Sequence, residues 1–453
     1  MKKLLVLDKK TMNVNADYDD FFSSSLDLLK EFDNEVYKYT CQEYERQKYT
    51  LSMVASSSIV PPSVLACEAS TLSSLTTEGY PGKRYHAGCL VADKVEELAI
   101  DRAKSLFKAS YANVQPHSGS SANQIILFNL LSPGDTVLSL DINSGGHLSH
   151  GAKASITSNF FSFVHYGLDS HGYIDYDHAE YMAKKHKPKL IICGASSYPR
   201  RIDFKRFREI ADSIGSFLLA DISHISGLVA TGLHESPIDY AHFTTTSTYK
   251  QLCGPRGGLI LMGKDYSIDS TNNFKTLVNK ATFPGFQGTP NLNSILAKAN
   301  AFYYVQTEEF AEIASNILGN SKKLADLFLS NGYKVLTEGT DNHMVILDVT
   351  SIGLNGLLAQ KVLEDCGIIV NKNLIPNDYN NPFITSGIRI GTNSLAQRGL
   401  KQEDMKDCFE LIDKILRSTR KINDKEYFVE SSLVNNVREQ VGGLVNNAPI
   451  PYY

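Results

Sequence analysis

Short apolar runs recur along the middle of the chain: Thr136 to Leu140, Lys189 to Cys193, Phe217 to Ala220 and Leu259 to Met262. Each is too short for a helix and is flanked by polar or turn-forming residues, the pattern of a strand buried on both faces. Segments of helical spacing lie between several of them. Strands alternating with helices predict an α/β fold built on a mostly parallel central sheet. The plainest helix starts near Asp93, with Asp93 as N-cap and Glu96 at the capping-box position. Val95, Leu98, Ala99, Ala103, Leu106 and Phe107 mark its apolar face.

The pattern differs on either side of this stretch. Residues 1–55 are polar and rich in Asp, Lys and Tyr, and Phe21, Leu26, Leu28, Leu29 and Phe32 predict an amphipathic helix, an arm suited to lying on another surface. Beyond residue 290 a long helical stretch from Leu292 to Ala325 leads into two strand-like runs, Tyr333 to Leu336 and His343 to Asp348. These read as a smaller α+β domain that ends in helices and a Pro-Ile-Pro-Tyr-Tyr tail. The expected organisation is an arm over 1–55, a large domain over 56–300 and a small C-terminal domain over 301–453.

Composition narrows the class. The 453 residues are 42% hydrophobic and 21% charged, as in a soluble globular protein. A formal net charge of -4 gives no reason to expect nucleic acid or an anionic membrane as partner. The seven cysteines are scattered with no Cys-x-x-Cys, the usage of reduced thiols rather than of a disulfide frame or a zinc site, and no metal is expected. The first apolar run stops at Asp8, too short for a signal or membrane segment, so the expected location is the cytoplasm.

The candidate chemistry centres on residues 241–258, Ala-His-Phe-Thr-Thr-Thr-Ser-Thr-Tyr-Lys-Gln-Leu-Cys-Gly-Pro-Arg-Gly-Gly. Lys250 stands between a hydroxyl-rich turn and a tight glycine turn, just ahead of an apolar strand. A lysine so confined loses hydration, its pKa falls, and it can form a Schiff base. A surface lysine before a hairpin is the plainer alternative. Upstream, the run Phe217 to Ala220 ends in Asp221, with His224 three residues on. A carboxylate at the end of a buried strand, ahead of a Schiff-base lysine, is what pyridoxal 5'-phosphate (PLP) needs: it keeps the pyridinium nitrogen protonated, so the ring accepts electrons.

Other stretches carry weaker signals. The run Gln115 to Asn123 opens a helix with small hydroxyl residues, which suits an ordinary serine N-cap or an anion at a helix N-terminus. Ser144 to His150 holds two glycines and two histidines, and metal binding ranks low there because no carboxylate or cysteine joins at ligand spacing. Residues 76–89, dense in glycine, aromatic and basic side chains, form a loop of the kind that carries function or a subunit contact. Arg389 lies within the β-like run Thr385 to Thr392 and needs a carboxylate partner.

The lysine segment resembles that of serine hydroxymethyltransferases, fold-type I PLP enzymes, and the resemblance extends over nearly the whole chain. It implies that Lys250 carries the cofactor, that Asp221 holds the ring nitrogen, that His224 lies close by and that His147 stacks on the ring. Ser118, Gly119 and Ser120 are the implied phosphate ligands, and Ser196 matches the residue near the ring hydroxyl. The loop Phe283 to Gly288, with Gly285, matches one that reaches the phosphate from a neighbouring subunit. Arg389 and Ser56 are the implied clamp for the amino-acid carboxylate, while Tyr85, His86 and Asn373 fall in the substrate and folate region. Glu78 matches a general acid/base that acts across the dimer interface. The implied activity is reversible Cα–Cβ cleavage of serine to glycine, with tetrahydrofolate as co-substrate, by a homodimer or a dimer of dimers.

Several positions depart from the family pattern. Ser57 and Ser58 replace Glu-Asn, Thr76 a tyrosine, His86 the second of a tyrosine pair, Ser144 and Tyr249 histidines, Leu374 a serine, and Phe286 and Thr289 glycines. The changes leave the implied PLP contacts alone and gather around the amino-acid and folate sites. A specialised relative is therefore the first alternative: an aldolase, a transaldolase or an α-methylserine hydroxymethyltransferase, with a bulkier aldehyde or an α-substituted serine suiting the smaller residues at 57, 58 and 76. A weakly catalytic PLP-binding protein is the second, and Glu78 counts against it, because a binder has no need of a general acid.

Overall fold

Every second residue of the apolar runs finds helices to pack against on one face, and the residues between find helices on the other. In the computed structural model, which describes residues 24–263 and 274–451, seven strands form one sheet: β1 (Tyr111–Asn113), β2 (Thr136–Leu140), β3 (Ser162–Tyr166), β4 (Leu190–Cys193), β5 (Phe217–Asp221), β6 (Phe243–Ser247) and β7 (Gly258–Met262). Their order is β1-β7-β6-β5-β4-β2-β3. The pairs from β6 to β3 are parallel, whereas β7 runs antiparallel to β1 and β6. Ile191 and Cys193 pack with Ala99 and Ala103 of α1 (Leu90–Phe107). Leu190 and Ile192 pack on the other side with Ile125 and Ile126 of α2 (Gly119–Leu130). Such two-sided burial is what a largely parallel sheet requires.

The second sheet is antiparallel throughout: β8 (Lys334–Val335), β9 (Met344–Asp348), β10 (Asn371–Asn373) and β11 (Gly387–Gly391), in the order β8-β9-β11-β10. It has its own apolar core, which includes Phe328, Val345, Leu347, Ile388, Ile390 and Ile412. Both sheets belong to one compact unit, residues 51–453. Residues 1–50 form the other, in which helices cover 24–32 and Asn34–Tyr49. Leu26, Leu28 and Phe32 are exposed there, while Phe21 lies outside the described residues. No helix among the described residues is long and apolar enough to cross a membrane, and all seven cysteines are free thiols.

Three local expectations need correction. The helical stretch from Leu292 to Ala325 is two helices, α3 (Leu292–Val305) and α4 (Glu308–Ser330), because Thr307 accepts the Phe310 N–H and restarts the helix ahead of Glu308 and Glu309. The hydroxyl-rich segment before Lys250 is not a turn but the buried strand β6, whose threonines are β-branched and pack well in a sheet. Asp93 does not cap α1, which begins at Leu90. Its carboxylate accepts from Arg84 at 2.8 Å and from the Gly82 N–H at 3.0 Å, and Glu96 accepts from Arg84 at 2.7 Å and from Gln115 at 2.8 Å. A buried arginine thus draws both acids away from capping. Replacing it as Arg84→Met leaves Glu96 buried and unpaired, and a loss of about 3–5 kcal/mol is expected as a lower urea midpoint.

Candidate active site

The side chains singled out in the sequence converge where parallel strands end, the usual place for a site in such sheets. Asp221 is the last residue of β5, Ser196 follows β4, His147 follows β2 and Lys250 follows β6. Arg389 arrives from the second sheet, on β11.

Asp221 is buried. One carboxylate oxygen accepts from Asn123 Nδ2 at 2.7 Å and His150 Nε2 at 3.0 Å, and the other from the Ser223 N–H at 3.0 Å. Burial would push this carboxyl up, but the hydrogen bond and charge of His150, with His147 and Ser223 adding, hold it far below the ordinary carboxylate range. A carboxylate only accepts, so His150 carries its proton on Nε2. His147 lies edge-on to His150 at 5.4 Å, and its Nδ1 accepts the Ser149 N–H at 3.1 Å. Burial, then the His150 charge, lowers His147 to about 4, so its ring is neutral near pH 7. The ligand atoms of His147, His150 and Asp221 lie within 4.8 Å of one another. A carboxylate does therefore join this histidine pair, from a strand remote in sequence.

Lys250 is buried and makes no ion pair among the described residues. Burial lowers it to about 8, with Asp221 opposing and Arg389 and Arg256 adding. His224, pushed well below its ordinary range by burial and by the Lys250 charge, stacks on His343 with ring centres 5.9 Å apart. Arg389 is buried as well. It donates to Asn371 Oδ1 at 3.1 Å and to the Ser196 carbonyl, so Ser196 is engaged through its backbone. Burial lowers its guanidinium to about 10. The carboxylate partner expected for Arg389 is not found among the described residues.

Ser118 caps α2: its hydroxyl accepts the Ser121 N–H at 3.0 Å while Ser121 Oγ accepts the Ser118 N–H at 2.7 Å. The N–H groups of Gly119 and Ser120 have no acceptor among the described residues. A Cβ on Gly119 would stand 3.2 Å from the Ser247 nitrogen, so this helix start rests against the end of the strand that leads to Lys250. Ser247 Oγ and His224 Nδ1 are buried with no hydrogen-bond partner. A buried amine, an ionised carboxylate, free N–H groups at a helix start and two unsatisfied buried polar atoms together fit PLP.

Ser56 is half-buried beside Ala55, whose carbonyl accepts from His343 Nε2 and Asn393 Nδ2, each at 3.0 Å. Asn373 accepts from Ser197 Oγ at 2.9 Å. Glu78, Tyr85, His86 and Gly285 form a separate group. Tyr85 is exposed and packs edge-on against Phe283 at 5.6 Å, and a Cβ on Gly288 would lie 3.5 Å from the Glu78 carboxylate. Gly285 sits beside Lys280 and Asn129, near the far end of α2, and His86 is exposed. No hydrogen bond, ion pair or ring contact among the described residues links these four to Lys250, Asp221 or Arg389.

Asn123, His150, Asn371 and His343 were not singled out from sequence. Asn123 and His150 carried a signal, a polar side chain just ahead of the apolar run Ile125 to Leu127 and a second histidine three residues after His147. The Lys250 geometry has a direct check. Cyanate carbamylates only the neutral amine, so modification of Lys250 in PLP-free protein, followed by mass spectrometry, should rise through a midpoint near pH 8 and level off. An exposed lysine would keep rising toward about 10.4.

The profile of the serine hydroxymethyltransferase family matches residues 29–412, a span that takes in every site residue from Ser56 to Arg389. With this match over most of its length, and a site whose residues fit PLP, the chain belongs to the serine hydroxymethyltransferase family of PLP-dependent enzymes.

Proposed function

We propose that the chain is a cytoplasmic serine/glycine hydroxymethyltransferase that uses tetrahydrofolate as one-carbon acceptor. The observation that carries this reading is Arg389: a buried guanidinium with no carboxylate partner among the described residues, within electrostatic reach of Lys250. An amino-acid carboxylate supplies what the fold withholds. On this reading residues 56–300 form the PLP-binding domain and residues 301–453 the small domain that brings Arg389.

PLP, when bound, supplies a ring that accepts the electron pair left at Cα. Asp221 stays ionised and holds the proton on the ring nitrogen, with Asn123 and His150 fixing its oxygens. Ser118, Gly119 and Ser120 take the phosphate, and neutral His147 lies against the ring without adding charge. His224 and Ser196 bound the cofactor's other edge, and Lys250 supplies the amine that holds it. Arg389 and Ser56 bind the substrate carboxylate. Glu78 of the partner subunit takes the β-hydroxyl proton of serine as the Cα–Cβ bond breaks, and formaldehyde passes to tetrahydrofolate. A proton returned to Cα gives glycine. Gly285 of the partner subunit closes the phosphate end, and Tyr85, His86 and Asn373 border the substrate and folate region. The grouping of Glu78, Tyr85, His86 and Gly285 apart from Lys250 within one chain supports a homodimer, alone or as a dimer of dimers.

A second reading keeps the same Cα–Cβ chemistry and changes the side chain or the acceptor. Ser57, Ser58, Thr76 and Leu374 favour it, because each alters size or polarity where substrate or folate would bind. Absorbance spectra of the PLP-loaded protein separate the two. A change on adding glycine that becomes a strong long-wavelength band only with tetrahydrofolate is expected for the hydroxymethyltransferase. A glycine response indifferent to folate would establish the folate-independent aldolase or transaldolase instead. Arg389→Lys should raise KM for serine on the order of hundredfold while PLP affinity stays within a few-fold, because a buried carboxylate loses its paired donors.

A further inference from the structure

Lys298, on α3, is buried and has no acidic partner among the described residues. Its side-chain nitrogen donates to three backbone carbonyls, those of Val114 at 2.6 Å, Gly258 at 3.0 Å and Pro116 at 3.1 Å. Three acceptors match the three protons of an ammonium, whereas a neutral amine has two to give. Burial pulls the group down to about 7, with Glu96 opposing. The carbonyl cage favours the charged form against that pull.

The carbonyls come from two segments on which the site depends. Val114 and Pro116 lead directly into Ser118, Gly119 and Ser120. Gly258 opens β7, just after the turn that follows Lys250. The same two segments are joined by the Gly258 N–H, which donates to Pro116 at 2.8 Å, and the Gly257 carbonyl accepts the Thr248 N–H at 3.1 Å. Space is as tight as the hydrogen bonding. A Cβ on Gly257 would stand 2.2 Å from Lys298 Cε, and one on Gly258 would stand 2.2 Å from the Ser118 carbonyl oxygen. A side chain at 257 would have to push the lysine stem aside, and one at 258 would have to move the backbone at the start of α2.

We propose that Lys298 is a positioning residue for the cofactor: its ammonium ties the turn that takes the phosphate to the segment that follows Lys250, and so sets the separation of phosphate site and amine. The inference rests on the PLP reading given above. The role falls to a side chain whose hydrogen bonds all go to backbone carbonyls. Its charge, two residues behind the start of the phosphate turn, also adds to the positive potential there.

The test compares PLP with pyridoxal, the same aldehyde without its phosphate, by absorbance titration of PLP-free protein, alongside urea unfolding. Lys298→Met removes the charge and keeps most of the stem. Gly257→Ala keeps the charge and forces the stem aside. Both variants should weaken PLP about tenfold or more while pyridoxal changes by less than about threefold, since the phosphate contacts alone lose their alignment. Unchanged PLP affinity, equal weakening of both aldehydes, or failure of both variants to fold would make Lys298 a scaffold residue only and overturn the proposal. Wild-type protein that binds no PLP would instead remove the reading on which it rests.

Discussion

A carboxylate kept ionised inside the protein is the constraint around which the site is arranged. Removing a charge from water is costly unless hydrogen bonds replace the lost hydration. Asp221 gains them from Asn123 on α2, from His150 in the loop after β2 and from the Ser223 N–H beyond its own strand. Those partners are themselves held. Thr245 of β6 donates to Asn123 Oδ1 at 2.5 Å, which turns the amide so that its NH2 faces Asp221. Ser139 of β2 donates to the His150 carbonyl at 2.6 Å. One buried charge thus fixes the relative placement of β2, β5, β6 and α2, the elements from which the rest of the site hangs.

The charges that remain are positive. Lys250 and Arg389 are buried together with Asp221, and His147, His224 and His343 are all driven toward the neutral form. Neutral rings let three aromatic side chains crowd a cationic site without adding repulsion. The balance left over suits anions, and the fold offers two places for them: the N–H groups at the start of α2 and the guanidinium of Arg389. A phosphate and a carboxylate on one ligand pair are the natural occupants of such an arrangement.

Local pattern carried much of the architecture. The apolar runs at 136–140, 217–220 and 259–262 fall wholly in strands of the main sheet, that at 189–193 does so from Leu190 on, and Ser118 does open a helix. What escaped was long-range or competitive. The partners of Asp221 lie 98 and 71 residues away, beyond any spacing rule. Asp93 and Glu96 have the look of a capping box, but Arg84 offers both acids a stronger partner than backbone N–H groups do. Polar composition made Thr244 to Ser247 look like a turn, although threonine fits a pleated strand well. Arg389 shows the limit most clearly. That it needs an acid was legible from its apolar neighbours, whereas only the folded chain reveals that none of the described residues provides one.

The pairing of Lys298 with Gly257 and Gly258 bears on how this chain can evolve. A side chain at Gly257 collides with the lysine stem, and one at Gly258 collides with the backbone of Ser118. A change at 257 requires the lysine to move, a change at 258 requires backbone to move, and a shorter residue at 298 would leave carbonyls without their donor. The lysine therefore couples the three sites: its stem limits what can stand at Gly257, and its ammonium holds the Gly258 carbonyl.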